Sequence, residues 1–275
     1  MDTEQQVARH YTHGNLESAI LDVLRTSGKD VENLDPSDLS GADEFHLGWH
    51  AETVEFAKEL GLNPGMHVFD IGAGIGGPAR HFGKAHHCRV TGIDLTQEFV
   101  EVANALTRRC GLDDRVSFQQ ASALALPFSD STFDAATMIH VGMNIADKPR
   151  LFSEARRVLK PGALFGVYDI THASEAAIPY PMPWAATEET SFVETLSDYR
   201  TKLEAAGFRI EKERDRSAFA LELGRRMREK AATDGMPPLG LHTLMGPATQ
   251  ERLANVMRAL DQGTIAPVEI IVRAI

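Results

Sequence analysis

The stretch from His67 to Leu95 limits what this chain can become more than any other. Val68, Phe69 and Ile71 form the apolar end of a buried strand, which runs into Gly72, Gly74, Gly76 and Gly77. Glycines let the backbone turn sharply and come close to a ligand. Pro78 suits the first turn of a helix, where a missing N–H is no loss. That helix directs free N–H groups at whatever lies over the turn. A second strand then ends at Asp94, 24 positions after Asp70, where such units place a carboxylate on a ribose. The stretch is a nucleoside-binding unit of an α/β fold.

A chain of 275 residues can bury a sizeable core and favours one large domain. The net charge of −11 argues against nucleic acid as the main partner, because neutralising phosphates requires a basic surface. Two cysteines, Cys88 and Cys110, suggest packed thiols in a reducing compartment and no zinc site. The first ten residues carry no basic and apolar leader pattern, and no apolar run approaches a membrane span. A cytoplasmic protein is the expectation; the sequence specifies no oligomeric state.

Apolar spacing predicts helix over residues 4–27, interrupted near His13 and Gly14, and again over 51–60. Downstream of Asp94, strands are expected at 116–120, 133–139 and from Gly162 to about Asp169, alternating with helices ended by Gly111 and Leu159. That rhythm means a parallel sheet. It breaks at residues 171–190, where Pro179, Pro181, Pro183 and Trp184 make an excursion longer than a core connection needs. Helices near 196–206, 217–233 and 248–261 and a strand from Phe208 lead to a last strand at 268–272. The expected organisation is an N-terminal helical lid (1–62) before a domain over 63–275, with a cover loop at 171–190 and a helical insert at 217–263.

Gly72-Ala73-Gly74-Ile75-Gly76-Gly77 satisfies a dinucleotide fingerprint, but that pattern alone is weak. Asp70 argues against a dinucleotide: a carboxylate behind the turn repels a pyrophosphate and suits an ammonium group. No basic residue flanks the turn before Arg80. Further ordered motifs follow: Gly92-Ile93-Asp94-Leu95, Leu126-Pro127-Phe128, Phe133-Asp134, and Arg157 to Gly162. With Asp70 to Gly77, these make residues 67–170 resemble the class I S-adenosylmethionine-dependent methyltransferases, in the small-molecule (type 11) group. That group includes ubiquinone/menaquinone, sterol, tocopherol and sarcosine/dimethylglycine methyltransferases. The run Gly76 to Arg80 and the upstream Asp43-Glu44-Phe45-His46 look closest to the sarcosine/dimethylglycine and sterol-like branch.

The resemblance implies a Rossmann-like seven-stranded sheet, mostly parallel with an antiparallel last strand beside the fifth, and helices on both faces. It implies S-adenosyl-L-methionine as cofactor. Gly72, Ala73 and Gly74 would approach its methionine part, with Asp70 at the amino group, Asp94 on the ribose and Leu95 on the adenine. Ser122 and Ala123 would meet the adenine edge. The family usually has an aspartate at position 122, so serine departs from the pattern.

The protein's task in such chemistry is to align the acceptor, exclude water and, where needed, take a proton. His140, at the end of the fourth strand, is the candidate general base and would also line the sulfonium; the alternative is that it packs beneath the cofactor. Asn144 either orients the acceptor or caps the next helix. Phe45 and His46 are expected at cofactor or acceptor, and Trp49 and His50 in packing. Trp184 could wall the acceptor pocket. Arg225, Arg226 and Arg228 read as a solvated helix face, and no metal ligand set is recognisable. The reading is a methyltransferase for a small-molecule acceptor, with N-methylation slightly favoured over C- or O-methylation. The alternatives are a nucleotide-dependent oxidoreductase and a non-catalytic S-adenosylmethionine-binding protein.

Overall fold

A computed structural model describes residues 3–12 and 14–275; His13 lies outside them. In chain order the elements are α1 (Thr3–Tyr11), α2 (Leu16–Thr26), α3 (Pro36–Leu39), α4 (Trp49–Glu59), β1 (His67–Ile71), α5 (Gly77–Ala85), β2 (Arg89–Asp94), α6 (Gln97–Arg109), β3 (Val116–Gln120) and β4 (Phe133–Ile139). They continue with α7 (Lys148–Val158), β5 (Leu159–His172), α8 (Leu196–Ala205), β6 (Phe208–Asp215), α9 (Ser217–Asp234), α10 (His242–Met245), α11 (Thr249–Asp261) and β7 (Ile265–Ala274).

Among the described residues, seven strands form one sheet in the order β3-β2-β1-β4-β5-β7-β6. The first five are parallel; β7 lies between β5 and β6 and is antiparallel to both. Side chains alternate across β1, so Phe69 and Ile71 pack with α7 and α8 residues such as Phe152 and Leu203. Val68 faces the other way, with Phe82 of α5 and Phe56 of α4. That alternation is the period of two a strand imposes, and helices on both faces are what bury a parallel sheet.

The last strand is longer than its apolar run suggested, because Pro267 stands inside it. Pro267 pairs with Ile170 in the antiparallel ladder, and its carbonyl accepts from the Arg216 N–H at 2.9 Å. Residues 4–27 form two helices separated by Gly14 (φ +86°). Thr96 occupies the position before α6 but makes no side-chain cap. Two of the sequence motifs prove to be one brace. Arg157 on α7 donates to the carbonyls of Phe128 (2.7 Å) and Leu126 (3.0 Å), while Glu154 accepts from the Leu126 N–H (2.8 Å). This fixes the loop that follows β3. Arg225 and Arg226 pair with Glu222 on an exposed face of α9, with Glu229 also bonded to Arg225. No described helix is long and apolar enough to cross a membrane.

Candidate active site

The carboxyl ends of β4, β1, β2 and β3 line up in that order beneath a cavity of about 460 Å³. Parallel strands place all their ends on one side, and the crevice outside those ends is where open α/β sheets hold ligands. The cavity meets Asp70, Gly72, Ala73, Gly74, Asp94, Leu95, Ala123, His140, Phe45, His46 and Asn144. Eleven residues from separate stretches of the sequence are therefore brought together. Ser122 is not on its wall and Trp184 lines an adjoining space.

The turn after β1 explains itself residue by residue. Gly72 has φ +70°, and a Cβ there would stand 2.4 Å from Cγ2 of Val141. Gly74 has φ +56° and would present its Cβ to open space within the cavity wall. Its N–H donates to Oδ2 of Asp94 at 3.0 Å, and the Thr96 N–H donates to Oδ1 at 2.8 Å. Asp94 is thus oriented by two main-chain donors, while burial pushes its carboxyl above the usual range.

Asp70 is 2% exposed. Its Oδ1 accepts from the Thr137 hydroxyl at 2.7 Å, and its Oδ2 is buried with no hydrogen-bond partner. Burial raises it to about 7, with the nearby Asp94 adding to the effect. A buried carboxylate oxygen without a partner is costly unless a ligand completes it. A cationic donor is the natural completion, because it restores the ionised form.

Charge around the cavity points the same way. Glu4, Asp43, Asp70, Asp94 and Asp147 line it, and among the described residues no lysine or arginine does. Arg80, the first basic residue after the glycine turn, is fully buried and turned away. It holds Asp43 at 2.7 Å and donates to the Ile75 carbonyl (2.7 Å) and the Thr107 hydroxyl (3.1 Å). Its place is structural, tying the segment before α4 to the glycine turn.

A smaller space of about 60 Å³ adjoins at His140, Phe45, His46 and Tyr11. Its remaining walls include Leu47, Met143, Ile170, Trp184, Leu241 and Val256. Trp49 lines it too. The indole N–H of Trp184 is taken by Ser191 at 2.9 Å, so the ring offers this space an apolar surface.

His140 stands between the two spaces in a left-handed conformation (φ +53°) and stacks on Tyr168 at 4.8 Å. Its Nδ1 accepts the Leu47 N–H at 3.3 Å; its Nε2 is buried with no protein partner. An Nδ1 that accepts leaves the neutral ring's proton on Nε2. Burial, with His46 nearby, holds His140 well below the ordinary histidine range. It is therefore a neutral donor, an arrangement that speaks against its use as a general base at Nε2.

The Leu47 peptide that sets this tautomer is itself fixed. Its carbonyl accepts from the Tyr168 hydroxyl at 2.8 Å and meets His46 Nδ1 at 3.3 Å. Glu44, 2% exposed, accepts from His46 (2.9 Å), His50 (2.8 Å) and Thr53 (2.6 Å). Burial acts upward on Glu44, but these hydrogen bonds outweigh it and hold it low. The same contact raises His50. His50 faces outward from Glu44, with a side chain 47% exposed.

Asn144 does not cap the next helix, whose start is capped by Asp147. Its Oδ1 accepts from Tyr11 at 3.0 Å and its Nδ2 donates to the Trp184 carbonyl at 2.8 Å. One side chain so joins the N-terminal helix, the end of β4 and the proline-rich loop. Sequence reasoning missed Glu4, Thr3 and Val7, which line the cavity with Tyr11. Their spacing of one helical turn, Thr3-Val7-Tyr11, is the signal that could have found them.

Residues 69–167 match the model of a methyltransferase domain. A sterol 24-C-methyltransferase of Gibberella zeae is 40% identical over 113 residues, 41% of this chain and 30% of that one. The matched stretch spans between 30% and 48% of the curated relatives' lengths. Among solved structures, a [4+2]-cyclase, SpnF, shares 25% identity at a TM-score of 0.69, covering 99% of this chain and 97% of its own. A geranyl diphosphate C-methyltransferase from Streptomyces coelicolor A3(2), solved with Mg2+, geranyl diphosphate and S-adenosyl-L-homocysteine, shares the fold. It has a TM-score of 0.71 at 18% identity, covering 100% and 98%.

Proposed function

We propose, from the premise that residues 69–167 are a methyltransferase domain, that this chain binds S-adenosylmethionine and methylates a small, largely apolar molecule. One observation carries the reading. The cavity presents the unpartnered oxygen of Asp70 and the oriented carboxylate of Asp94, with no lysine or arginine among its described lining residues. Such a wall suits a ligand bearing an ammonium, a sulfonium and a vicinal diol, and repels a pyrophosphate. A nucleotide-dependent oxidoreductase is disfavoured on the same ground.

In this reading Asp70 holds the ammonium, the Gly72–Gly74 main chain takes the methionine part, and Asp94 takes the ribose hydroxyls. Leu95 and Ala123 pack on the base. When bound, the cofactor supplies an electrophilic methyl group on sulfur. The chain's own part is to position and enclose. Phe45, His46, Tyr11 and Trp184 wall the acceptor, Asn144 ties the walls together, and His140 donates from Nε2 to a polar atom of the acceptor. Residues 1–62 serve as the lid, and 63–275 as the methyltransferase domain, with 171–190 and 217–263 as cover.

What the site lacks bears on the accepting atom. With His140 placed as a donor, His46 hydrogen-bonded to Glu44 and Thr53, and Tyr11 to Asn144, the described lining of the apolar space offers no unengaged base, and a nucleophile that arrives ready to react suits it best. A neutral amine and an electron-rich carbon both meet this; the apolar lining favours the less polar of them. The absence of lysine and arginine from the described lining of both spaces disfavours a diphosphate acceptor. A second reading has its own support. The likeness to a [4+2]-cyclase extends over nearly the whole chain, so the cofactor could be held while the adjoining space shapes a different reaction. Screening uncharged polyketide, terpenoid and tertiary-amine precursors for release of S-adenosylhomocysteine separates the two. Stoichiometric release with a methylated product supports the proposal; product formed without release supports the cyclase-like reading.

A further inference from the structure

The end of the cavity over β3 carries a carboxylate that belongs to no part of the methyltransferase domain. Glu4 lies in the first turn of α1, lines the cavity and accepts a hydrogen bond from the Ser122 hydroxyl. Ser122 is held in turn by the Leu124 N–H, which donates to its Oγ at 3.0 Å. Arg157 and Glu154 fix the Leu126–Phe128 end of the same loop to α7. The position of Glu4 is therefore set by a braced loop as well as by its own helix.

The sheet order says what should meet it. Along β4, β1, β2 and β3 come His140, then Asp70 and Gly72, then Asp94, then Ala121 to Leu124. Four neighbouring strand ends span about 14 Å, the length scale of a nucleoside with an amino-acid tail. With the tail at β1 and the ribose at β2, the base lies at β3, beside Ala123 and beneath Glu4.

We infer that Glu4 is a base-recognition residue, accepting a hydrogen bond from the exocyclic amine of the cofactor's adenine. The inference rests on the proposed cofactor. Serine at 122 carries no charge, and the acceptor that an amine seeks is delivered there from the N-terminal helix. The same contact makes α1 sensitive to the base. Thr3, Val7 and Tyr11 line the cavity with Glu4 from the same helix, and Tyr11 closes the far side on Asn144. The base meets one end of this strap, and the Tyr11–Asn144 hydrogen bond fastens the other.

A thermodynamic cycle tests this with the full chain. Calorimetric affinities are measured for S-adenosylhomocysteine and for its 6-desamino analogue, in wild type, Glu4→Ala and Glu4→Gln. Wild type should prefer the amine-bearing ligand by about tenfold, the scale of a partly exposed charge-assisted hydrogen bond. Glu4→Ala should lose most of that preference while binding the desamino analogue as wild type does. Glu4→Gln, which keeps the helix's shape and one acceptor, should fall between. Equal preference in wild type and both variants overturns the inference and leaves the cofactor assignment intact. Failure of wild type to bind S-adenosylhomocysteine overturns both.

Discussion

The Thr137 hydroxyl donates to Oδ1 of Asp70 at 2.7 Å and leaves Oδ2 buried without a partner. Two adjacent strands thus hold a carboxylate in a place where it is costly to ionise. Asp70 has a pKa of about 7 here against an ordinary 3.8. The folded chain therefore holds an extra proton between those values, and this group's contribution to stability falls as pH rises from about 4 to about 7. Melting curves at pH 5 and pH 8 should show a stability loss that Asp70→Asn reduces. Asp169, also raised by burial, acts in the same direction and keeps part of the slope. Ligand affinity runs oppositely: an ammonium needs the ionised carboxylate, so S-adenosylhomocysteine should bind more tightly at pH 8 than at pH 6, and Asp70→Asn should flatten that trend.

His140 is expected to matter without titrating. It is neutral and a donor, so His140→Ala should lower kcat by about tenfold and leave the shape of the pH profile between 6 and 9 unchanged. A limb near pH 6.5 that vanishes in the variant would restore His140 as a base.

Tyr11 fastens α1 across the cleft. Tyr11→Phe removes its hydrogen bond to Asn144, a loss of about 1 kcal/mol. S-adenosylhomocysteine should bind several-fold more weakly, and amide exchange over residues 3–11 should quicken. Unchanged exchange would mean that the other contacts of the helix hold it without Tyr11.

Arg80 and Asp43 form a buried pair at 2.7 Å, both almost without exposure. Removing one partner of such a pair leaves an uncompensated charge and costs about 3–5 kcal/mol. Arg80→Met should lower the unfolding free energy obtained from urea titration by that amount, and adding Asp43→Asn should recover part of it.

These expectations divide along the same line as legibility in the sequence. Asp70, Gly72, Gly74 and Asp94 were readable because each is placed by its own strand or turn, and local backbone rules act on neighbouring residues. The antiparallel last strand and its place beside the fifth came from family resemblance, while its full length was masked by Pro267, which the ladder tolerates. The partner of Ser122 is not legible locally, because Glu4, which accepts from its hydroxyl, lies 118 positions away. For His140 the residue type alone allows a base or a group packed beneath the cofactor. Only the contact with the Leu47 N–H, 93 positions distant, fixes which nitrogen carries the proton. Long-range polar contacts of this sort leave no periodic mark in a sequence.

The most direct test of the whole account is a calorimetric titration of the wild-type chain with S-adenosylhomocysteine, run beside NADH and beside an Asp70→Asn/Asp94→Asn variant. The account predicts one site per chain for S-adenosylhomocysteine, binding weakened at least tenfold in the double variant, and no heat from NADH. Binding of NADH without S-adenosylhomocysteine, or equal affinity in the double variant, would contradict it.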